Sequence, residues 1–135
     1  MTYVREVLAG IGIASILSAT AVAQGVVTQR NLSLTLAKTM AEAALAECQG
    51  KGFHTAVAVV DRAGQVLVIL RDEQASIHQI EMARRKAYTA RMFRTSTLEF
   101  QKRTASDPLL LPQRDVSEML ALGGGVPVQI GNETI

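Results

Sequence analysis

Apolar residues along this chain fall into four patterns. From Val7 to Ala19 they form a run broken only by small residues. Beyond Leu32 they recur at three- and four-residue spacing, then crowd into two short runs around Val59 and Val68. They return to helical spacing between Ile77 and Ala90. Each pattern predicts a different element.

The first run is followed by Ala21-Val22-Ala23 and then polar Gln24. An apolar stretch of roughly 7–15 residues ahead of a small-x-small site is the pattern of a cleavable secretory signal. It falls short of the roughly 20 apolar residues a spanning helix needs. Arg5 is the only basic side chain ahead of the run, and Glu6 offsets it. The reading is a signal peptide at 1–23 and one domain at 24–135, with a periplasmic or secreted location and no stable membrane span after cleavage. An uncleaved anchor and an ordinary buried helix are the alternatives.

In the remainder, Ser33 or Thr35 can cap a helix running to about Gln49, with Leu34, Ala37, Ala41, Leu45 and Cys48 on one face. Gly50 and Gly52 stop it. Thr55–Asp61 and Val66–Leu70, joined by Arg62-Ala63-Gly64-Gln65, predict a hairpin. Both runs are nearly continuous in apolar residues, so part of the hairpin should be covered on both faces. A second helix is predicted from near Ser76 to about Phe93, with Ile77, Ile80, Ala83, Ala87 and Ala90 facing the core. Its Arg84-Arg85-Lys86 run reads as a solvated face, with an anion site as the sharper alternative. Thr95–Lys102 predicts a short helix capped by Ser96 or Thr97, with Glu99 as capping-box partner. Val116–Leu122 reads as strand or turn. Val126–Ile130 reads as a strand, Gly131-Asn132 as a turn, and Glu133 opens another strand.

Composition changes this picture little. Residues 24–135 carry 13 basic and 11 acidic side chains, a net +2, within 112 of the 135 residues. That is room for one domain with a modest core. No aromatic-and-basic stripe supports a nucleic-acid partner. Cys48 has no partner for an intramolecular disulfide, so it reads as a small buried hydrophobe, and the domain must rely on its core or on oligomerisation.

Candidate chemistry is sparse. Gly123-Gly124-Gly125 is followed by a Pro-containing strand, which is the wrong context for a phosphate loop. The chain has no H-E-x-x-H, no C-x-x-C and no G-x-S-x-G, hence no assembled nucleophile or acid–base pair of those classes. His54 and His78 are the only neutral-nitrogen donors for a metal. His54 precedes a strand and reads as an edge or turn residue. His78, in the first turn of the second helix, reads either as an exposed or hydrogen-bonded histidine or as a haem ligand.

Three ordered blocks resemble the GlcG/HbpS-like haem-binding, or haem-degrading domain, family. Ala58-Val59-Val60-Asp61-Arg62-Ala63-Gly64 is similar to its A-V-V-D-x-x-G hairpin. Arg84 to Phe93 is similar to its K-A-x-T-A-x-x-F helix, and Leu122 to Val128 to its G-G-x-P-[IV] segment. The resemblance implies an α/β (α+β), profilin-like fold: an antiparallel sheet flanked by helices, with a tendency to form homo-oligomers. It also implies haem bound at or near the second helix. His78, Lys86 and Thr89 are the site candidates, with His78 as the metal ligand. Physically, Ile77 and Ile80 can pack a porphyrin face, and Arg71, Arg84 and Arg85 can pair with propionates. Family members continue past the last strand with a G-A-I-G-V-S-G strand and a final helix, so this chain is expected to be a fragment or a truncated product lacking both.

Two functions are expected from these readings. One is an exported haem-binding protein that stores, senses or relays haem, with weak haem degradation as an extension. The other is a non-catalytic small-molecule-binding or assembly module accessory to organic-acid metabolism of the glycolate type. A flavin or nicotinamide enzyme finds no fingerprint here.

Overall fold

The computed structural model describes residues 25–135. The segment read as a secretory signal lies outside the described residues. Three helices and two antiparallel strand pairs follow in the order α1 (Leu34–Gly50), β1 (Ala56–Val60), β2 (Val66–Arg71), α2 (His78–Phe93), α3 (Thr97–Ser106), a 3-10 turn (Leu111–Asp115), β3 (Gln129–Ile130) and β4 (Glu133–Thr134). No helix among the described residues is long and apolar enough to cross a membrane.

The start of α1 is set by Ser33, whose hydroxyl accepts from the Leu36 amide at 3.2 Å. Its end is a glycine stop. Gly52 takes φ +79°, its amide donates to Gln49 O, and the Phe53 amide donates to Cys48 O, both at 2.9 Å. Those paired bonds satisfy carbonyls that a helix end leaves free. The α1 stripe is turned from the one predicted. Ala37 and Ala41 are fully buried, whereas Leu34 is exposed and Leu45 and Cys48 are half-buried. A helix packed flat on a strand pair buries its small residues first, because they allow the closest approach.

β1 and β2 form the predicted hairpin, with Val57 opposite Leu70 and Val59 opposite Val68, and a bulge next to Val60. Asp61 makes the turn: its carboxylate accepts from the amides of Ala63 and Gln65, both at 2.8 Å. Gly64 sits there at φ +80°, and a Cβ on it would lie 2.6 Å from both Met92 and Tyr88 of α2. Turn geometry and helix packing therefore both demand glycine. Val59 and Val68, with Val57 and Leu70 beside them, pack on the α1 side with Leu32, Ala37, Ala41 and Ile135. Ala56 and Val60 alternate to the other face, where α2 packs.

α2 ends at Arg94 in the left-handed conformation, φ 53°, and Ser96 caps α3 by accepting from the Glu99 amide at 3.2 Å. The predicted capping box is half made, because the Glu99 carboxylate goes to Lys102 instead. Phe93 and Phe100 stack with ring centroids 4.3 Å apart, with the Arg103 guanidinium over both. Val116–Leu122 forms no strand; it turns through Glu118 at φ 71°.

The mixed helix and antiparallel-sheet class agrees with expectation. The expected single sheet does not form among the described residues: β1–β2 and β3–β4 are separate two-stranded units. The strand predicted over Val126–Ile130 shortens to Gln129–Ile130, which pairs with Glu133–Thr134 around Gly131.

Candidate functional site

Between α1, β1 and α2 lies a groove of about 660 Å³, within the range of ligand pockets. Its α1 wall is Met40, Ala44 and Cys48, four residues apart and so on one helix face. Its floor is β1 from Thr55 to Val60. The α2 wall carries apolar Met82, Ala83 and Ala87 together with His78, Lys86 and Arg91. Gly124–Val128 and Ile135 close the far side.

His78 stands at the start of α2, exposed at the groove mouth, and its ring makes no hydrogen bond among the described residues. Lys86 lies two turns further along the same wall and donates from Nζ to Gly123 O at 3.2 Å. An ammonium has three protons, so this contact leaves donors for a ligand.

The other predicted residues serve the segment after α3. Thr89 is fully buried; its hydroxyl donates to Arg85 O at 2.8 Å and accepts from the Leu120 amide at 2.9 Å. Arg85 donates to Met119 O at 2.6 Å, while its buried Nε finds no partner among the described residues. Arg84 is clamped by Glu81 and Glu118, whose carboxylates hold its guanidinium above its ordinary pKa. The Arg84-Arg85-Lys86 run is thus not the solvated face it was expected to be. Its three cations tie down 118–123, because that segment folds back over α2 and presents two carbonyls and a carboxylate. Arg71 likewise donates to Glu73 O and Ala75 O. Ile77, expected to pack a ligand, precedes the helix and is 67 % exposed.

The glycines near Lys86 are there for closeness. A Cβ on Gly125 would sit 2.5 Å from Lys86 O, and Thr97 both donates to Gly125 O through its amide (2.9 Å) and accepts from the Gly125 amide (2.8 Å). The glycine run is a close corner against α2 and α3, with no strand directly on either side of it.

Three further groups escaped the sequence reading. Gln79 reaches back to β1, donating to His54 O at 3.1 Å and accepting from the Ala56 amide at 3.2 Å. Asp72, buried at 4 % exposure, accepts from Gln49 (2.8 Å), the Gln74 amide (2.8 Å) and His54 Nδ1 (3.1 Å). The Gln49 bond first, then the Gln74 amide and His54, hold its carboxyl below the ordinary value despite burial. Arg91 lines the groove at the hairpin-turn end with a buried Nε that has no partner; burial, reinforced by Arg62 and Arg94, pushes its pKa down. Nothing in spacing marks these residues, because each acts across the fold. No group of three or more His, Cys, Asp or Glu able to hold a metal occurs among the described residues.

The sequence model of the haem-degrading HbpS-like proteins matches residues 32–135. The chain belongs to the HbpS-like family. A crystal structure of HbpS is 36 % identical, covers 82 % of this chain and 76 % of its own, and superposes with a TM-score of 0.76. A double mutant of HbpS from Streptomyces reticuli is 33 % identical, covers 94 % of this chain and 81 % of its own, with a TM-score of 0.78. A PduOC:haem complex is 25 % identical, covers 76 % of each chain and has a TM-score of 0.66. A search of the curated proteins finds no match. The TM-scores show that the chain shares the fold of these structures.

Proposed function

We propose that this chain binds haem in the groove between α1, β1 and α2, with His78 as the iron ligand. The observation that carries the reading is the arrangement of His78 and Lys86 on one wall of an apolar cavity. Eight helical residues separate them by about 12 Å along the axis. A macrocycle with iron at His78 would meet Met82, Ala83 and Ala87 on its way to the Lys86 ammonium. The walls are largely apolar, and beside neutral Thr55, Ser76 and Gln79 they carry the imidazole of His78 and the cations Lys86 and Arg91, which suits a planar apolar ligand with carboxylates at one edge. Haem held there would supply an iron centre open to ligand exchange, and the chain's own part is to ligate, orient and shield it.

The HbpS-like family and a relative solved with haem support this reading. Storage, sensing or relay of haem is the role we attach to it, with weak haem degradation as an extension. Export to the periplasm or medium rests on the Val7–Ala23 pattern. Of the earlier candidates, Lys86 keeps a ligand role here. Arg85 and Thr89 hold 119–120 against α2.

Haem titration of the full chain tests the proposal. A saturable Soret shift is expected, with an altered ligand-field spectrum in His78→Ala. No shift in the unsubstituted chain would sink haem binding, and an unchanged spectrum in His78→Ala would remove that residue as ligand.

A further inference from the structure

A second, smaller cavity of about 290 Å³ lies at the hairpin-turn end of α2, lined by Gln29, Asn31, Arg62, Ala63 and Arg91. Arg91 is the one side chain it shares with the groove. Its volume sits at the lower edge of the range for small-molecule sites. The polar groups around it are donors in search of an acceptor. The Nε of Arg91 is buried with no hydrogen-bond partner among the described residues. A buried polar atom left in that state calls for an explanation, an absent ion or solvent molecule among them. Asp61, whose charge acts on Arg91, is occupied in the hairpin turn, where Oδ1 accepts from the amides of Ala63 and Gln65. It forms no ion pair with Arg91 among the described residues.

Asn31 is held in a fixed orientation. Its Oδ1 accepts from the Leu32 amide at 2.9 Å and from the Arg62 amide at 3.0 Å. With the oxygen engaged twice, its contribution to a ligand is the two protons on Nδ2. Arg62 gives Nη1 to Glu133, and Arg30 shares that carboxylate at 2.7 Å. Glu133 is therefore already outnumbered. Arg91 in turn feels Arg62 and Arg94 against Asp61 alone. Four arginines meet two carboxylates at this end of the molecule, an excess of two positive charges.

We propose that this cavity binds a small phosphate-type dianion, inorganic phosphate or a compact phosphate monoester, between the Arg91 guanidinium and the Asn31 amide. Arg62 stands at its rim. A guanidinium presents its N–H groups as a planar fork that fits two oxygens of one phosphate. The excess of two positive charges favours a dianion over a single carboxylate. The cavity's size admits a phosphate group and excludes a porphyrin.

The test is calorimetric titration of the haem-free full chain with inorganic phosphate at neutral pH, with the Arg91 Nε resonance followed by NMR. Saturable binding and a shifted Nε resonance are expected. Acetate and chloride at matched ionic strength should bind at least about tenfold more weakly. Asn31→Asp keeps an oxygen for the Leu32 and Arg62 amides but places a tethered carboxylate in the cavity. It should melt at or above the temperature of the unsubstituted chain and lose phosphate binding by about tenfold or more. Arg91→Met should lose it to a similar extent, and if that variant fails to fold, Asn31→Asp still decides. No saturable binding, an equal response to chloride or acetate, or unchanged phosphate binding in Asn31→Asp would overturn the proposal. Haem is absent throughout, so either result is independent of the Soret titration.

Discussion

Two groups of residues on α2 are similar in type and end in opposite states. On one, Arg85 and Thr89 close onto 119–120, and Phe93 stacks on Phe100 of α3. Most polar groups there have a partner, and the segment from Met119 to Gly125 is fixed through them to α2 and, by Thr97, to α3. On the other, His78, Met82, Ala87 and Arg91 line a groove. Both groups carry cations, so charge by itself does not separate them. What differs is whether the chain returns to cover the face. The lesson is that a basic run on a helix is divided by the chain that returns to it: Arg84 and Arg85 are tied to Glu118 and Met119 O, whereas Lys86 meets one carbonyl and keeps donors for a ligand.

The comparison can be broken first at its tightest point. Phe100→Ala removes a fully buried ring and should cost about 3–5 kcal/mol in chemical denaturation. A cost below about 1 kcal/mol would mean that the α2–α3 junction is not closed. Thr89→Val keeps shape but leaves the Leu120 amide without an acceptor, an expected loss of about 1–3 kcal/mol. Exchange of the Leu120 amide should quicken in the same variant. A silent Thr89→Val would return that residue to the list of free site groups.

Asp72 gives a smaller effect, confined to acid. Its folded-state pKa lies below the ordinary value of 3.8, so its hydrogen bonds add stability that is fully present above that value. The stability is lost as pH falls from there through the depressed pKa. Asp72→Asn should flatten the acid limb of a stability–pH curve, and an unchanged limb would mean that Gln49 and His54 do not hold the carboxylate. The smallest expected effect is on the open face. Ala87→Leu points into the groove and should change stability by no more than about 0.5 kcal/mol, while blocking haem binding in the Soret titration. Destabilisation of about 1–3 kcal/mol, as in an overpacked core, would show that this face is filled.

Much of the local structure was legible in the chain. Ser33 and Ser96 announced their helices because an N-cap hydroxyl acts within three residues. The hairpin was legible because Asp61 and Gly64 build the turn from their own side-chain and φ requirements. Val116–Leu122 was ambiguous because its conformation is imposed from outside, by Arg84 on Glu118 and Thr89 on Leu120. The two stripes were misplaced for a related reason. Periodicity gives the width of an apolar face, but the partner surface decides which edge of it is buried, so Leu34 and Ile77 ended exposed.

The candidate site was less legible than the fold. His78 could be singled out by residue type, and Lys86 by its helix block. Gln79 and Arg91 could not, since their roles depend on β1 and the hairpin turn lying alongside α2. By itself the sequence determined the helices, the hairpin, the glycine corners and membership of a family, all of which rest on contacts a few residues apart or on ordered blocks. Only the tertiary structure decided which cations are spent on backbone carbonyls and which line a cavity. Hydrogen bonds saturate one partner at a time, and which partner arrives is settled by packing across the fold.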